Sequence, residues 1–256
     1  MMDPVIFCIG NLCVRWYSMA YIVGIIGGWY LIKNYNNKIE LFDAKKIEDD
    51  AFFYVIFGII LGGRLGYVMF YNFSYYIRHL LDIFKVWEGG MSFHGGMLGV
   101  ICGCYLLAKK HKINFLSFID LISAVAPIGL FFGRIANFIN QELYGRATNS
   151  SFGIVFAGTD GIPRHPSQLY EAFFEGFVLF FIMLYFVKRK NNIVKNEKKG
   201  FLTGFAISYY GMVRFFIEFF REPDAQIGYI FNYFTMGQIL CLPMVAIGLY
   251  LMFKKK

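Results

Sequence analysis

The chain has 256 residues, 57% of them hydrophobic and 16% charged, with a formal net charge of +8. A soluble globule of this composition has too little polar surface to stay dispersed, so an integral membrane protein is expected. The positive charge does not call for nucleic acid, because its placement along the chain reads as a topology signal.

The first 16 residues hold no basic stretch ahead of an apolar core and no clear cleavage site, so the N-terminus reads as mature sequence. Crossing a bilayer takes about 20 apolar residues. Seven candidate spans follow, at about 17–33, 50–72, 91–108, 116–136, 169–187, 200–220 and 236–253. The fold expected is all-α and polytopic, one integral membrane domain over 1–256, with 138–168 as an outer loop segment that caps a site. No repeat of solenoid or inverted-transporter type is visible. Among the cysteines, Cys102, Cys104 and Cys241 fall in apolar spans as small hydrophobes. Cys8 and Cys13 can pair in an oxidising compartment, and no cysteine spacing is of zinc type.

Lysines mark one side of the membrane. Lys33, Lys38, Lys45 and Lys46 follow span one, and Lys109, Lys110 and Lys112 follow span three. Lys188, Arg189, Lys190, Lys195, Lys198 and Lys199 follow span five, and Lys254, Lys255 and Lys256 close the chain. With alternating spans all of these share the cytoplasmic side, which puts the N-terminus outside and the C-terminus inside. The other side and the spans leading to it carry Arg15, Arg64, Arg78, Arg134, Arg146, Arg164, Arg214 and Arg221, with Lys85 as the one lysine. Lysine serves as generic charge near anionic lipid, whereas the planar arginine fork binds phosphate in a bidentate manner. An anionic ligand at the outer leaflet fits this division.

Residues 133–146 then stand out: Arg134, Asn137, Asn140 and Glu142 crowd the end of an apolar helix. Each costs roughly 2.5–3.5 kcal/mol at a helix centre, so such groups usually line a site. Arg134 and Asn137 share one helical face, as do Tyr210, Arg214 and Glu218, with Arg221 at that span's exit. Arg64, Tyr67 and Tyr71 face one way in span two, His94 opens span three and Tyr17 opens span one. Five spans therefore bring polar groups to the outer third of the bilayer. Bland readings stand beside this one. Arg134–Glu142 and Arg214–Glu218 also read as pairs that hold helices together. His94 also reads as structural, the glycines around it as packing positions, and the tyrosines as an interfacial belt. His165 also reads as structural, Ser167 as a helix cap, and His79 and His111 as loop residues without a role. A transporter would carry polar residues through the inner halves, but 177–186 and 119–132, apart from Asp120, are nearly all apolar. A metal-dependent sugar-phosphate transferase would show an outer acidic pair, and Asp49-Asp50 falls on the cytoplasmic side.

The run Gly133-Arg134-x-x-Asn137-Phe138-Ile139-Asn140-x-Glu142-x-x-Gly145 resembles the signature of the bacterial prolipoprotein diacylglyceryl transferases. Arg15-Trp16-Tyr17, Gly62-Gly63-Arg64-Leu65-Gly66-Tyr67 and Gly89-Gly90-Met91-Ser92-Phe93-His94-Gly95-Gly96 are further matches. So are His165-Pro166-Ser167-Gln168-Leu169-Tyr170-Glu171, Tyr210-Gly211-x-x-Arg214-Phe215, Glu218-Phe219-Phe220-Arg221-Glu222-Pro223-Asp224 and Met236-Gly237-Gln238. The outer segment 147–163 is shorter than in some members. The resemblance implies an inner-membrane enzyme, site outward, that moves the diacylglyceryl group of phosphatidylglycerol to the lipobox cysteine of prelipoproteins. It implies glycerol phosphate as by-product and no metal or cofactor; separately, a monomer and no nucleic-acid partner are expected. For that chemistry His94 is expected to take the thiol proton, and Arg134 with Arg214 to clamp the phosphate. Asn137 and Asn140 are expected to orient the headgroup or hold Arg134, and Glu142 to fix an arginine or the glycerol hydroxyls. Tyr17 and Tyr210 would donate to lipid oxygens, with Arg64, Glu218 and Arg221 behind them.

Overall fold

The computed structural model describes residues 5–9, 12–39, 45–157, 159–189, 199–222, 229–230 and 233–254. Lys190, Lys195, Lys198, Lys255 and Lys256 of the lysine set expected on the cytoplasmic side, and Pro223-Asp224 of the motif after span six, lie outside the described residues. The chain is mostly helical and divides into two compact units, Asn36–Ile119 and a second made of Met1–Tyr35 with Asp120–Lys256. Each is taken by itself.

The long helices among the described residues are α1 (Trp16–Ile39), α2 (Lys45–Phe70), α3 (Phe93–His111), α4 (Phe115–Ile139), α5 (167–189), α6 (Phe201–Ile217) and α7 (Met236–Phe253). Each overlaps one of the segments expected to span, and among the described residues four helices are long and apolar enough to cross a membrane. The mostly helical chain agrees with the expected all-α class. Two small antiparallel hairpins accompany the helices, β1 (Val5–Ile9) with β2 (Leu12–Arg15), and β3 (Tyr229–Ile230) with β4 (Phe234–Thr235). Cys8 is disulfide-bonded and stands opposite Cys13 in the first hairpin's register. Cys102, Cys104 and Cys241 are free thiols.

In the unit Asn36–Ile119, α2 and α3 pack through glycine. Gly58, Gly62 and Gly66 on α2 and Gly95, Gly99 and Gly103 on α3 recur every four residues, which gives each helix a flat stripe. A Cβ on Gly62 would stand 2.7 Å from the Cα of Gly99, so only glycine permits this approach. Ser92 caps α3 by accepting from the Gly95 N–H at 3.2 Å. His111 is not a loop residue: it ends α3 and meets Asp50 at 2.7 Å, beside Lys110 at the same distance.

In the other unit, Asp120 explains itself. The one acidic residue among the apolar positions of α4 accepts from the N–H groups of Gly200 and Thr203, both at 2.8 Å, and from the Thr203 hydroxyl at 2.6 Å. The first turn of α6 leaves its N–H groups without intrahelical partners, and a buried carboxylate from α4 supplies the acceptor. Helices α4 and α6 are thereby fastened at one end. Gly204 and Gly248 let α6 and α7 approach closely. Helix α5 opens with an α-helical turn, widens into a π-helical stretch at Ala172–Val178, and returns to α-helix. Ser167 does not cap it: its hydroxyl donates to the Leu143 carbonyl at 3.0 Å, so it ties the preceding loop down.

Candidate functional site

Arg134 lies in the last turns of α4, Arg214 in the last turn of α6 and Arg221 just past that helix. Helix α5 brings two acidic residues one turn apart, Glu171 and Glu175, each 0% exposed. Glu171 gathers all three arginines. Its Oε1 meets the Nη1 of Arg214 in a short ion pair and the Nη1 of Arg221 at 3.2 Å, and its Oε2 meets the Nε of Arg134 at 3.2 Å. Glu175 stands between the other two, 3.5 Å from Nη2 of Arg134 and 4.0 Å from Nη1 of Arg214. Glu218, one turn beyond Arg214, receives its Nη2 at 2.8 Å. Three guanidinium groups and three carboxylates thus form one buried cluster with no net formal charge. Buried ions are tolerated only when paired, and each of these carboxylates stands within 4.0 Å of an arginine.

Helix α7 completes the wall. Thr235 and Gln238 form a capping box at its start, and the Thr235 hydroxyl donates to Oε1 of Glu218 at 3.0 Å. A Cβ on Gly237 would meet the same carboxylate at 2.7 Å. The Met236-Gly237-Gln238 triplet therefore has a physical reason: it presents a helix N-terminus to Glu218 at close range. The Tyr210 hydroxyl faces Arg134, and Tyr17 is within electrostatic range of the same arginine.

Beside the cluster, the chain leaves α4 in a tight turn. Gln141 and Leu143 adopt φ of +57° and +58°, a left-handed backbone uncommon outside glycine, and they flank Glu142. The Asn137 side-chain amide donates to Oε1 of Glu142 at 2.8 Å, and that of Asn140 at 3.4 Å. Buried Gln168 of α5 donates to the Glu142 carbonyl at 2.7 Å. Arg134 and Glu142 are consequently not the pair that sequence spacing suggested: Arg134 turns to α5, and Glu142 takes the two asparagines. Arg214 and Glu218 are paired, as that spacing allowed.

The loop that follows α4 is braced from behind. Arg146 donates through Nε to the Arg221 carbonyl at 2.8 Å, and Gly145 pairs with Arg221 in an isolated bridge. His165 meets the Tyr170 hydroxyl at 3.2 Å and packs edge-on against Phe220, a structural role. At the loop's far end the Ile162 N–H and the Arg164 guanidinium hold the Asp160 carboxyl below the usual carboxylate range.

Of the expected site residues, Arg134, Tyr210, Arg214, Glu218 and Arg221 share the cluster, and Asn137, Asn140 and Glu142 form the turn next to it. His94 and Arg64 belong to the other unit. There the Arg64 guanidinium is saturated by the backbone carbonyls of Asp82, Ile83, Gly89 and Gly90 at 2.5–3.2 Å, so it shapes the segment that leads to α3. His94 is exposed on the first turn of α3. Glu175 and Thr235 are additions that sequence reading passed over, and Glu171 entered it only as part of a motif. The missed signal was an acidic i, i+4 pair inside an apolar span.

The sequence-family model described as prolipoprotein diacylglyceryl transferase matches residues 4–254. The chain belongs to the prolipoprotein diacylglyceryl transferase family. It is 52% identical over 252 residues to the phosphatidylglycerol--prolipoprotein diacylglyceryl transferase of Rickettsia bellii (strain OSU 85-389), covering 98% of this chain and 95% of that one. To the protein of the same description from Rickettsia akari (strain Hartford) it is 54% identical over 249 residues, with 97% and 95% covered. The arginine–glutamate cluster lies inside the matched region.

Proposed function

We propose that the protein transfers the diacylglyceryl group of phosphatidylglycerol to the lipobox cysteine of a prelipoprotein, forming a thioether and releasing glycerol phosphate. The observation that carries this reading is the convergence of Arg134, Arg214 and Arg221 on one buried carboxylate. Guanidinium groups collected in a low-dielectric setting are suited to a phosphodiester. The relatives' names supply the donor and the acceptor.

The reaction needs a thiolate and a stabilised leaving group. His94 takes the thiol proton, and the sulfur attacks the glyceryl carbon that bears the phosphate ester oxygen. The carbon–oxygen bond breaks and its electron pair leaves with the phosphate. Charge on the phosphate rises by one, and Arg134 and Arg214 stabilise it while Arg221 stands behind them. Asn137, Asn140 and Glu142 orient the headgroup from the adjoining turn. Tyr17 and Tyr210 donate to lipid oxygens. The nucleophile comes from the substrate, so the buried thiols Cys104 and Cys241 are not required.

All seven helices cross the bacterial inner membrane as a monomer, with the N-terminus outside, the C-terminus inside and the 138–168 segment capping the site outward. The division between outer arginines and inner lysines supports that orientation. The test is turnover. Purified protein with phosphatidylglycerol and a lipobox peptide is expected to yield a peptide heavier by one diacylglyceryl group. No product alongside an active control enzyme sinks the reading.

A further inference from the structure

Of the three carboxylates in the cluster, Glu175 is the odd one. It is 0% exposed, and neither of its oxygens has a hydrogen-bond partner among the described residues. Its nearest cationic groups are Arg134 and Arg214, in long ion pairs at 3.5 and 4.0 Å. Glu171 and Glu218 each take at least one close donor. Fully buried acceptors without donors are rare and costly, and they ask for a reason. The backbone around Glu175 does not let it relax elsewhere. It sits in the π-helical stretch of α5, a conformation concentrated at functional sites. Its neighbour Gly176 is pressed against the backbone of Phe131, three residues ahead of Arg134. The carboxyl group is thus held beside the two arginines with both oxygens open to a donor.

We propose that Glu175 is the residue that selects the donor headgroup, its two oxygens accepting from the vicinal hydroxyls of the terminal glycerol. The proposal rests on phosphatidylglycerol being the donor. Phosphate binding draws Arg134 and Arg214 onto its oxygens and off Glu175. The headgroup hydroxyls lie on the second and third carbons from that phosphate and take the arginines' place. The lipid therefore brings both the anion that the arginines lack and the donors that the carboxyl group lacks. A lipid with the same charge and no hydroxyls satisfies the first need and leaves the second unmet.

The experiment compares phosphatidylglycerol with phosphatidylpropanol, which has the same charge and headgroup carbon count but no hydroxyl. Thioether formation on a lipobox peptide is measured with wild type, Glu175→Gln and Glu175→Met. Wild type is expected to favour phosphatidylglycerol in kcat/KM by roughly 10- to 100-fold, the range of a lost hydrogen bond to a charged group. Glu175→Met brings that ratio toward one, and Glu175→Gln, which keeps one acceptor, falls between. Equal turnover of the two lipids by wild type overturns the assignment. So does a Glu175→Met enzyme whose rate falls on both lipids by the same factor, even to zero, because the residue then only spaces the arginines. Failure of wild type on phosphatidylglycerol itself sinks the donor reading, a result distinct from both.

Discussion

In Arg134→Lys the positive charge stays and the planar fork goes. The guanidinium of Arg134 reaches Glu171 through Nε at 3.2 Å and Glu175 through Nη2 at 3.5 Å, two atoms on different edges of one rigid group. A lysine ammonium is a single point and serves one carboxylate at a time. The cluster stays electrically balanced, so the fold is retained. Arg134→Ala differs, because it leaves buried carboxylates uncompensated, a loss of about 3–5 kcal/mol. The cost of the lysine falls instead on the phosphate clamp. One charge-assisted hydrogen bond is worth about 1.5–3 kcal/mol. If it is missing at the transition state, turnover falls by roughly 10- to 150-fold. The assay is thioether formation on a lipobox peptide in phosphatidylglycerol vesicles, followed by mass, with thermal unfolding as the check on folding. A wild-type rate from folded Arg134→Lys would refute bidentate recognition. Loss of folding would show that the fork's first duty is structural.

Three further outcomes follow from the packing and the chemistry. Gly62→Ala puts a methyl group 2.7 Å from the Cα of Gly99, and the forced separation of α2 and α3 is expected to cost about 1–3 kcal/mol; an unchanged thermal midpoint in detergent would contradict the glycine stripe as the contact. Asp120→Ala removes the acceptor of three hydrogen bonds from the start of α6, an expected loss of at least about 1.5–3 kcal/mol; Asp120→Asn, which keeps one acceptor oxygen, should lose less, and equal midpoints for the two would speak against the cap. His94→Asn should be most damaging at neutral pH and recover as pH rises through about 8.5, where the substrate thiol ionises unaided; a loss independent of pH would give His94 a positional role.

The helices were legible because the bilayer sets their length and hydropathy sets their place. Span one, placed at about 17–33, continues to Ile39 because the polar stretch Asn34 to Lys38 is helical without being apolar. The N-terminal hairpin was less visible. Val5–Ile9 is a short apolar run that fits a strand or the start of a span, and the Gly10-Asn11 pair after it is of hairpin composition. In the α2–α3 pair only the glycines around His94 read as packing positions, and the structure sets Gly95 among them in a stripe with Gly99 and Gly103 against Gly58, Gly62 and Gly66. The same loop shows why Arg64 is hard to judge from sequence. An outer arginine reads as a ligand until its donors are traced, and here they go to backbone carbonyls.

The carboxylates of α5 illustrate a different limit. An anion site invites a search for positive residues, and negative ones near it look like obstacles. Charge balance reverses that instinct. Arg134, Arg214 and Arg221 buried together would repel one another strongly where water cannot screen them. Of the acidic residues on the same helical stripes, only Glu218 lies beside them, which leaves two positive charges without a buried partner. Helix α5 has two acidic residues near its start, Glu171 and Glu175, spaced to face one way. Counting charge, not only sign, would have named both. The cluster's neutrality also bears on how an anion binds. A phosphate enters a site whose arginines are already engaged, so it must compete with a carboxylate for each of them. Affinity for the lipid is therefore set by what the displaced carboxylates gain in return, and Glu175, with no donor of its own, has the most to gain.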